Sequence, residues 1–372
     1  MKTLALGLMS GTSADGLGIA AVELSPFKVA AFKTYPYRAG LRREILAARE
    51  LNARELSRLG MRLGKLYACC VAAFCKEFKI PYSRVEVIGS HGQTAGHWPD
   101  DKPAHTLQIG EASFMAELTG APVVCDFRPR DMAAGGCGAP LIPFFDEFLF
   151  GGKAPRILLN IGGIANITAV GRGVRTFGFD TGPGNCLMDL LVSAVSGGRR
   201  GFDRAGSLAA RAEPDGRLLA AMLRDPYFKK PVPKSLDRDY FGARFLARHH
   251  IAAGPETVNR ALATLNKFTA VSAARGILAV RGKVRAREVI VSGGGALNDT
   301  LLRNLAAALP DMKITRSGVY GLDELAREPA CFAVLAHLAL RGAVNHCPRA
   351  TGARGARVLG KIIPAAKLKI RD

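Results

Sequence analysis

Three glycine-rich turns, one carboxylate and one arginine cluster are the groups in this chain whose types and spacing could do chemistry. GTSADG (11–16) and NIGGIAN (160–166) each expose backbone N–H groups in a tight turn, the kind of concavity that binds phosphate oxygens, and Thr12 and Ser13 add hydroxyl donors. Neither turn carries the Lys that a Walker A loop places after its glycines, and neither is GxGxxG, so P-loop and dinucleotide readings lose ground. Facing turns from two lobes can clamp a triphosphate, although either turn alone would also serve a plain hairpin. SGGGALN (292–298) follows a strand and opens a helix, and three consecutive glycines let a flat ring such as adenine, or its ribose, approach the backbone closely.

Asp180, in FDTGPGN (179–185), is placed by the pattern at a strand end before a Gly-Pro-Gly run that leaves room for a ligand. A carboxylate so placed is a candidate general base, able to take a proton from a hydroxyl or a water. The competing use is an Asx-turn or a cap for the helix that starts near Asn185. Arg128 and Arg130 form an RPRD cluster with Asp131, and Arg grips carboxylates and phosphates bidentately, so the cluster implies a substrate with an acid group. His91 and Gln93 in SHGQT (90–94) could hydrogen-bond a polar ligand.

The elements that must position these groups follow from periodicity. Strands are expected over 3–9, 17–24 and 29–35, then helical pattern over 42–78 with a break near Gly60 to Gly64. A short strand, 85–88, should end at the polar SHGQT loop, followed by a strand, a helix opened by Glu111 and a strand over 106–125, which is βαβ grammar. Residues 126–143 are too rich in Gly, Pro and Ala for a helix and read as a pocket wall and an interdomain crossing. Strand, glycine turn and strand return at 156–170, a third strand at 174–179 delivers Asp180, and this repetition suggests an internal duplication. Helices follow over 186–195, 204–223, 241–249 and 257–278, then strand 288–291, a helix into Ala308 and a last helix over 322–340.

Composition bounds the answer. At roughly 150 residues per domain, 372 residues make two domains or one large one with a deep cleft. Lys and Arg number 52 against 31 Asp and Glu, a net +21 that suits a phosphate-bearing substrate, an anionic surface or nucleic acid equally. Aromatic residues are 7% and no nucleic-acid module is present, so no nucleic-acid partner is expected. Apolar runs fall short of the ~18 residues of a membrane span, and the eight cysteines contain no CxxC pair. MKTLALGLM runs straight into SGTSADG without a cleavage signal, which reads as a first strand of a cytoplasmic protein.

The motifs GLMSGTSADG (7–16), IGSHGQT (88–94), TLQIGEASFMAELTG (106–120), DFRPRDMAAGGCGAPLIP (126–143), LLNIGGIANIT (158–168), GFDTGPGNCLMD (178–189), PKSLDRDYF (233–241) and SGGGALN (292–298) resemble those of the anhydro-N-acetylmuramic acid kinases. The resemblance continues through EPACFAVLA (328–336) and the TGARGARVLGKIIPA tail (351–365). It implies a duplicated α/β fold, actin-like and ribonuclease-H-like, with an ATP and sugar cleft between an N-terminal lobe (1–130 plus about 342–372) and a C-terminal lobe (131–341). It implies ATP and Mg²⁺ as cofactors, a homodimer, and conversion of 1,6-anhydro-N-acetylmuramic acid, water and ATP into N-acetylmuramic acid 6-phosphate and ADP in peptidoglycan recycling. Asp180 then matches the residue that activates water at the anomeric carbon while the freed O6 attacks the γ-phosphate. The nucleotide falls to Gly11, Thr12, Ser13, Ala14, Asp15, Gly16, Leu17 and Gly18, to Gly162, Gly163 and Asn166, and to Gly293, Gly294 and Gly295. The sugar falls to His91, Arg128, Arg130, Asn185 and Glu328, with the Arg pair on the lactyl carboxylate. No metal ligand is assigned. Three positions depart from the family pattern: Gly18 stands where GTSxDGxD has Asp, Cys137 where GGQGAP has Gln, and Pro129 where a third Arg is common. A plain amino-sugar kinase and a catalytically degenerate ATP-binding regulator are the alternative readings.

Overall fold

The computed structural model describes residues 3–232, 234–236, 240–251, 254 and 257–365. The chain forms two compact units, one made of the residues up to Phe145 together with those from Gly321 on, the other of Asp146–Tyr320. The first unit opens with β1 (Leu4–Ser10), β2 (Gly16–Leu24) and β3 (Phe27–Pro36), continues through helices α1 (Ala39–Leu46) and α2 (Ala53–Glu77), strands β4 (Val85–Trp98) and β5 (His105–Ile109), helix α3 (Ser113–Thr119), strand β6 (Val123–Cys125) and helix α4 (Phe127–Ala133). Helix α5 (Ile142–Phe150) leads to β7 (Arg156–Ile161), β8 (Ile164–Val170) and β9 (Phe177–Pro183), and these to α6 (Cys186–Val195), α7 (Gly216–Met222), α8 (Ala243–Arg248), α9 (Val258–Val284), β10 (Glu288–Ser292), α10 (Asp299–Ala308) and β11 (Lys313–Arg316). Helices α11 (Arg327–Leu340) and α12 (Pro348–Thr351) and strand β12 (Lys361–Ile363) rejoin the first unit.

The two sheets share one topology. In the first, the order is β12-β6-β4-β1-β2-β3, with β5 on β4; in the second it is β11-β10-β7-β8-β9. Each contains an antiparallel three-strand meander whose first strand pairs in parallel with a fourth, and that with a fifth. The duplication suggested by the two glycine hairpins is therefore present in the strand order itself. Each sheet has its own apolar core, built around Leu6, Leu63, Tyr67 and Phe74 in one unit and Leu159, Ile277, Val291 and Leu305 in the other.

Backbone contact at glycines fixes how α11 lies. A Cβ on Gly7 would stand 1.8 Å from the Pro329 carbonyl oxygen and one on Gly89 2.0 Å from that of Phe332, so the helix rests directly on β1 and β4. This places α11 in the first unit, and the units divide at 145/146 and 320/321, where the sequence reading had set 130/131 and 341/342.

Local differences have local causes. α2 is unbroken through Gly60 and Gly64; it starts instead at a capping box, in which Asn52 Oδ1 accepts from Glu55 N (3.0 Å) and Glu55 Oε2 from Asn52 N (3.2 Å). Gly64 serves close packing, since a Cβ there would lie 2.3 Å from the Glu111 carbonyl oxygen. SHGQT continues β4 rather than forming a loop, because β5 pairs with it as far as Trp98. The 126–143 segment contains α4, entered through Asp126 at φ +50°, a left-handed conformation that Asp tolerates better than most residues. β9 reaches Pro183, so Asp180 lies inside the strand.

Candidate active site

In the second unit, three glycine segments are held together by backbone bonds. Gly184 N donates to Gly163 O (2.8 Å) and Asn185 N to Gly162 O (2.8 Å), joining the β7–β8 turn to the β9–α6 connection. Thr269 of α9 donates to Gly184 O (2.8 Å) from below. The SGGGALN turn closes on the same place: Gly293, at φ +83°, has room for no Cβ, which would meet Ile161 O at 2.6 Å and Asn160 Oδ1 at 2.8 Å. A Cβ on Gly295 would stand 3.3 Å from Asn185 Oδ1. Gly162, Gly163, Asn185 and Gly293 to Gly295 thus form one cluster of closely packed backbone at the ends of β7, β9 and β10.

Asp180 faces Asn166 across the β8–β9 ladder. Its own N–H donates to Lys234 O (2.9 Å), Tyr227 OH donates to its carbonyl, and its carboxylate Oδ2 accepts from Leu236 N (2.8 Å). Asp180 therefore caps no helix; the N-cap position of α6 is Asn185. Burial pushes its pKa up from the ordinary 3.8, and the Leu236 amide offsets only part of that. A half-buried carboxylate with raised basicity is suited to accept a proton. Of the PKSLDRDYF segment that carries Lys234 and Leu236, Pro233 and residues 237–239 lie outside the described residues.

In the first unit, the β1–β2 turn is pinned by a relay that sequence reasoning did not find. Tyr37 OH donates to Ser10 Oγ (2.8 Å), Ser10 Oγ to Gln93 Oε1 (2.5 Å) and Gln93 Nε2 to Gly11 O (3.2 Å). Gln93, read as a possible ligand group, instead holds the turn in shape. Thr12 and Asp15 are exposed in it, Asp15 bridged to Arg42 at 3.3 Å, while Ala14 sits at φ +51°. Leu17 and Gly18 belong to β2: Leu17 is core, and a Cβ on Gly18 would lie 3.0 Å from Pro329 Cγ, so α11 closes over the place where the family pattern has Asp.

His91 and Arg128 form a buried pair. His91 Nδ1 donates to Gly92 O (2.8 Å), which leaves Nε2 to accept from Arg128 Nε (3.0 Å) and Nη2 (2.9 Å). Burial, then the Arg128 charge, hold the imidazole pKa down at about 3, so the ring is neutral and both nitrogens are engaged within the protein. His91 thus orients Arg128. Arg128 Nη1 also donates to Gly138 O (2.9 Å); of its five N–H groups, two remain for a ligand. Burial pushes up the pKa of Glu328, at the start of α11, and the charges of Arg327 and then Arg128 oppose that push. Arg130 is not part of this group. It is exposed, because α4 is helical and residues two apart on a helix face different ways.

A cavity of about 430 Å³ opens beside His91, walled by Leu56 and Met61 of α2 and by Ser90, Gln108, Glu111 and Asp126. Ser90 Oγ and Gln108 Oε1, on two of the residues that wall it, are buried without a hydrogen-bond partner in the protein. Sequence reasoning named neither as a site residue, although both lay in quoted motifs; only the fold brings them to the wall of one cavity.

The chain matches the family model described as anhydro-N-acetylmuramic acid kinase over residues 3–365. It is 42% identical to the anhydro-N-acetylmuramic acid kinase of Variovorax paradoxus (strain S110) over 378 residues, covering 97% of this chain and 99% of that one. The enzyme of the same name from Streptomyces avermitilis is 39% identical over 370 residues, 96% of this chain and 94% of that one. Among solved structures, a ROK family glucokinase from Streptomyces griseus aligns over 90% of this chain and 99% of its own with TM-score 0.40 and 12% identity. With the family model spanning nearly the whole chain and relatives about 40% identical over almost their full length, the chain belongs to the anhydro-N-acetylmuramic acid kinase family, ATP-dependent sugar kinases of cell-wall recycling.

Proposed function

We propose that this enzyme couples hydrolytic opening of 1,6-anhydro-N-acetylmuramic acid to phosphorylation of the released O6, with Asp180 as the base. The observation that carries this reading is the setting of Asp180: half-buried, steered by the Leu236 amide, raised in pKa, and in the same unit as the glycine cluster. Asp180 takes a proton from water as the water oxygen bonds to C1, and the C1–O6 bond breaks. O6 bonds to the γ-phosphorus, the bond to the bridging oxygen breaks, and ADP leaves. Phosphorus captures the leaving oxygen, so one carboxylate suffices where an inverting glycosidase uses two.

The nucleotide is assigned to Gly162, Gly163, Gly293, Gly294 and Gly295, with Asn166 beside the base, and to the Gly11–Gly16 turn. Arg128 is assigned to the lactyl carboxylate, and Asn185 and Glu328 to sugar polar groups. Among the described residues no group of three or more His, Cys, Asp or Glu side chains is arranged to hold a metal ion. The Asp15 carboxylate and the Thr12 and Ser13 hydroxyls of the first turn are hard oxygens of the kind Mg²⁺ takes, and would be the groups to hold it beside a nucleotide. When bound it would neutralise phosphate charge. No helix among the described residues is long and apolar enough to cross a membrane. The family resemblance is the ground for proposing a cytoplasmic homodimer.

The test is mass spectrometry of the sugar after incubation with ATP and Mg²⁺. A product heavier by one phosphate and one water is expected. A product heavier by phosphate alone would replace this reading with a plain kinase, and unchanged sugar with bound ATP would replace it with a regulator.

A further inference from the structure

Four hydrogen bonds join the C-terminal segment to α4 and the loop after it, and two of them end on Asp131, which supports Arg128. Asp131 Oδ1 accepts from His346 Nδ1 (2.9 Å) and from Thr351 Oγ1 (2.7 Å). Cys137 N donates to Thr351 O (2.8 Å) and Arg354 N to Ala134 O (2.9 Å). His346 Nε2 accepts from Arg357 N (2.8 Å), which fixes the tautomer with the proton on Nδ1, aimed at Asp131. The segment is itself closed into a tight loop by Asn345, whose Nδ2 donates to Leu335 O (2.8 Å) and Leu359 O (3.0 Å) and whose Oδ1 accepts from Leu359 N (2.6 Å).

The other oxygen of the same carboxylate works on the far side. Asp131 Oδ2 accepts from Gly138 N (2.8 Å), and a Cβ on Gly136 would stand 2.2 Å from it, so the glycine loop is wrapped around the carboxylate. Gly138, at φ +71°, turns its carbonyl to Arg128 Nη1 at 2.9 Å. A continuous path therefore runs from His346 and Thr351 through Asp131 and Gly138 to the guanidinium, every bond of it within the first unit. Asp131 and His346 are fully buried, and Asp131 is not placed to touch a ligand.

We infer that Asp131, held by His346 and Thr351, is a positioning residue for sugar recognition: it sets Gly138, and Gly138 sets Arg128. The inference rests on the assignment of Arg128 to the acid group of the sugar. It gives His346 and Thr351, late in the chain, a role in substrate binding through Asp131. Losing Asp131 would release Gly138 and the Nη1 contact and leave the guanidinium held by His91 alone, which weakens capture of the anionic sugar while leaving the base and the glycine segments of the other unit unchanged.

The experiment is a double-mutant cycle read in steady-state kinetics with sugar and ATP varied separately, on the full chain. Asp131→Asn keeps the shape but turns an NH₂ toward groups that donate; it should raise KM for the sugar about tenfold, the scale seen when a group orienting a ligand-binding side chain is lost. KM for ATP should stay as it is and kcat change by less than about threefold. Arg128→Ala should raise the sugar KM at least as much, and the double variant should be no worse than Arg128→Ala alone. If Asp131→Asn does not fold, Thr351→Val, which removes one donor and keeps the shape, is read in the same way with a smaller rise. Effects that multiply in the double variant, or a sugar KM unmoved in both milder variants beside a raised one in Arg128→Ala, would overturn the inference alone. A sugar KM unmoved in Arg128→Ala would overturn the assignment of Arg128, and the inference with it.

Discussion

Asp131 and Asp180 are both carboxylates removed from water, one in each unit, and their surroundings push them in opposite directions. Around Asp131, burial alone would raise the pKa, but His346, Thr351 and the Gly138 amide outweigh it and hold the carboxyl below its ordinary value. Around Asp180, burial has the upper hand over a single named amide, and the pKa rises. The difference separates two uses of one side chain. A carboxylate whose oxygens are taken up by donors has its charge stabilised in place and no basicity left to use, so it organises structure. One that is desolvated but thinly bonded is held at higher energy when ionised, which is what a base needs.

The largest expected effect breaks the chemistry and leaves the fold alone. Asp180→Asn should lower kcat by about 10²–10⁴, the usual contribution of a positioned base. Its thermal midpoint should not fall, because the amide oxygen still accepts from Leu236 N while a buried charge is gone. Kinetics beside a melting curve checks both. A variant that melts well below the parent would make Asp180 a structural aspartate like Asp131, and the contrast between them would disappear.

The opposite shifts also separate activity from folding along the pH axis. Asp180 must be ionised to act, and its folded pKa lies above 3.8, so kcat/KM should decline as pH falls toward that value from above. Asp131 has its folded pKa below the unfolded one, so its contribution to stability is fully present above 3.8 and is lost only as pH falls through the lowered value. Acidification should therefore silence the enzyme while it is still folded. A pH–rate profile and far-UV circular dichroism on the same samples check this, and coincident loss of rate and ellipticity would show that the two groups are not distinct.

Much of this was legible in the sequence, and the reasons it stopped are physical. The two glycine hairpins disclosed the duplication because turns that need small residues leave a mark wherever they occur, and Asp180 stood out because it precedes Gly-Pro-Gly. Gly64 was misread as a helix break, since a glycine required for close approach to Glu111 looks the same in sequence as one that ends a helix. Arg128 and Arg130 looked like a pair because α4 was hidden in a Gly- and Ala-rich stretch, and a helix separates what adjacency in sequence joins. His346 gave no signal at all. It meets Asp131 across 215 residues, and no local pattern encodes a bond of that span.

The smallest effect sharpens what holds Asp131. Thr351 Oγ1 shares Asp131 Oδ1 with His346, while its backbone oxygen independently accepts from Cys137 N, so replacing the side chain leaves the loop attached. Thr351→Val matches the shape and removes the hydroxyl, with its donation to Asp131 and its long contact from Ala353 N (3.4 Å), and a hydrogen bond to a charged group contributes about 1.5–3 kcal/mol. With the imidazole still on that oxygen, the lower end, about 1.5 kcal/mol, is expected as a shift of the urea midpoint at unchanged slope. Thr351→Ser keeps the donor and should recover most of it. If valine and serine variants unfold at the same urea concentration as each other, the hydroxyl is not among the groups that hold this carboxylate, and the stabilisation of Asp131 must be reassigned to His346 and the Gly138 amide.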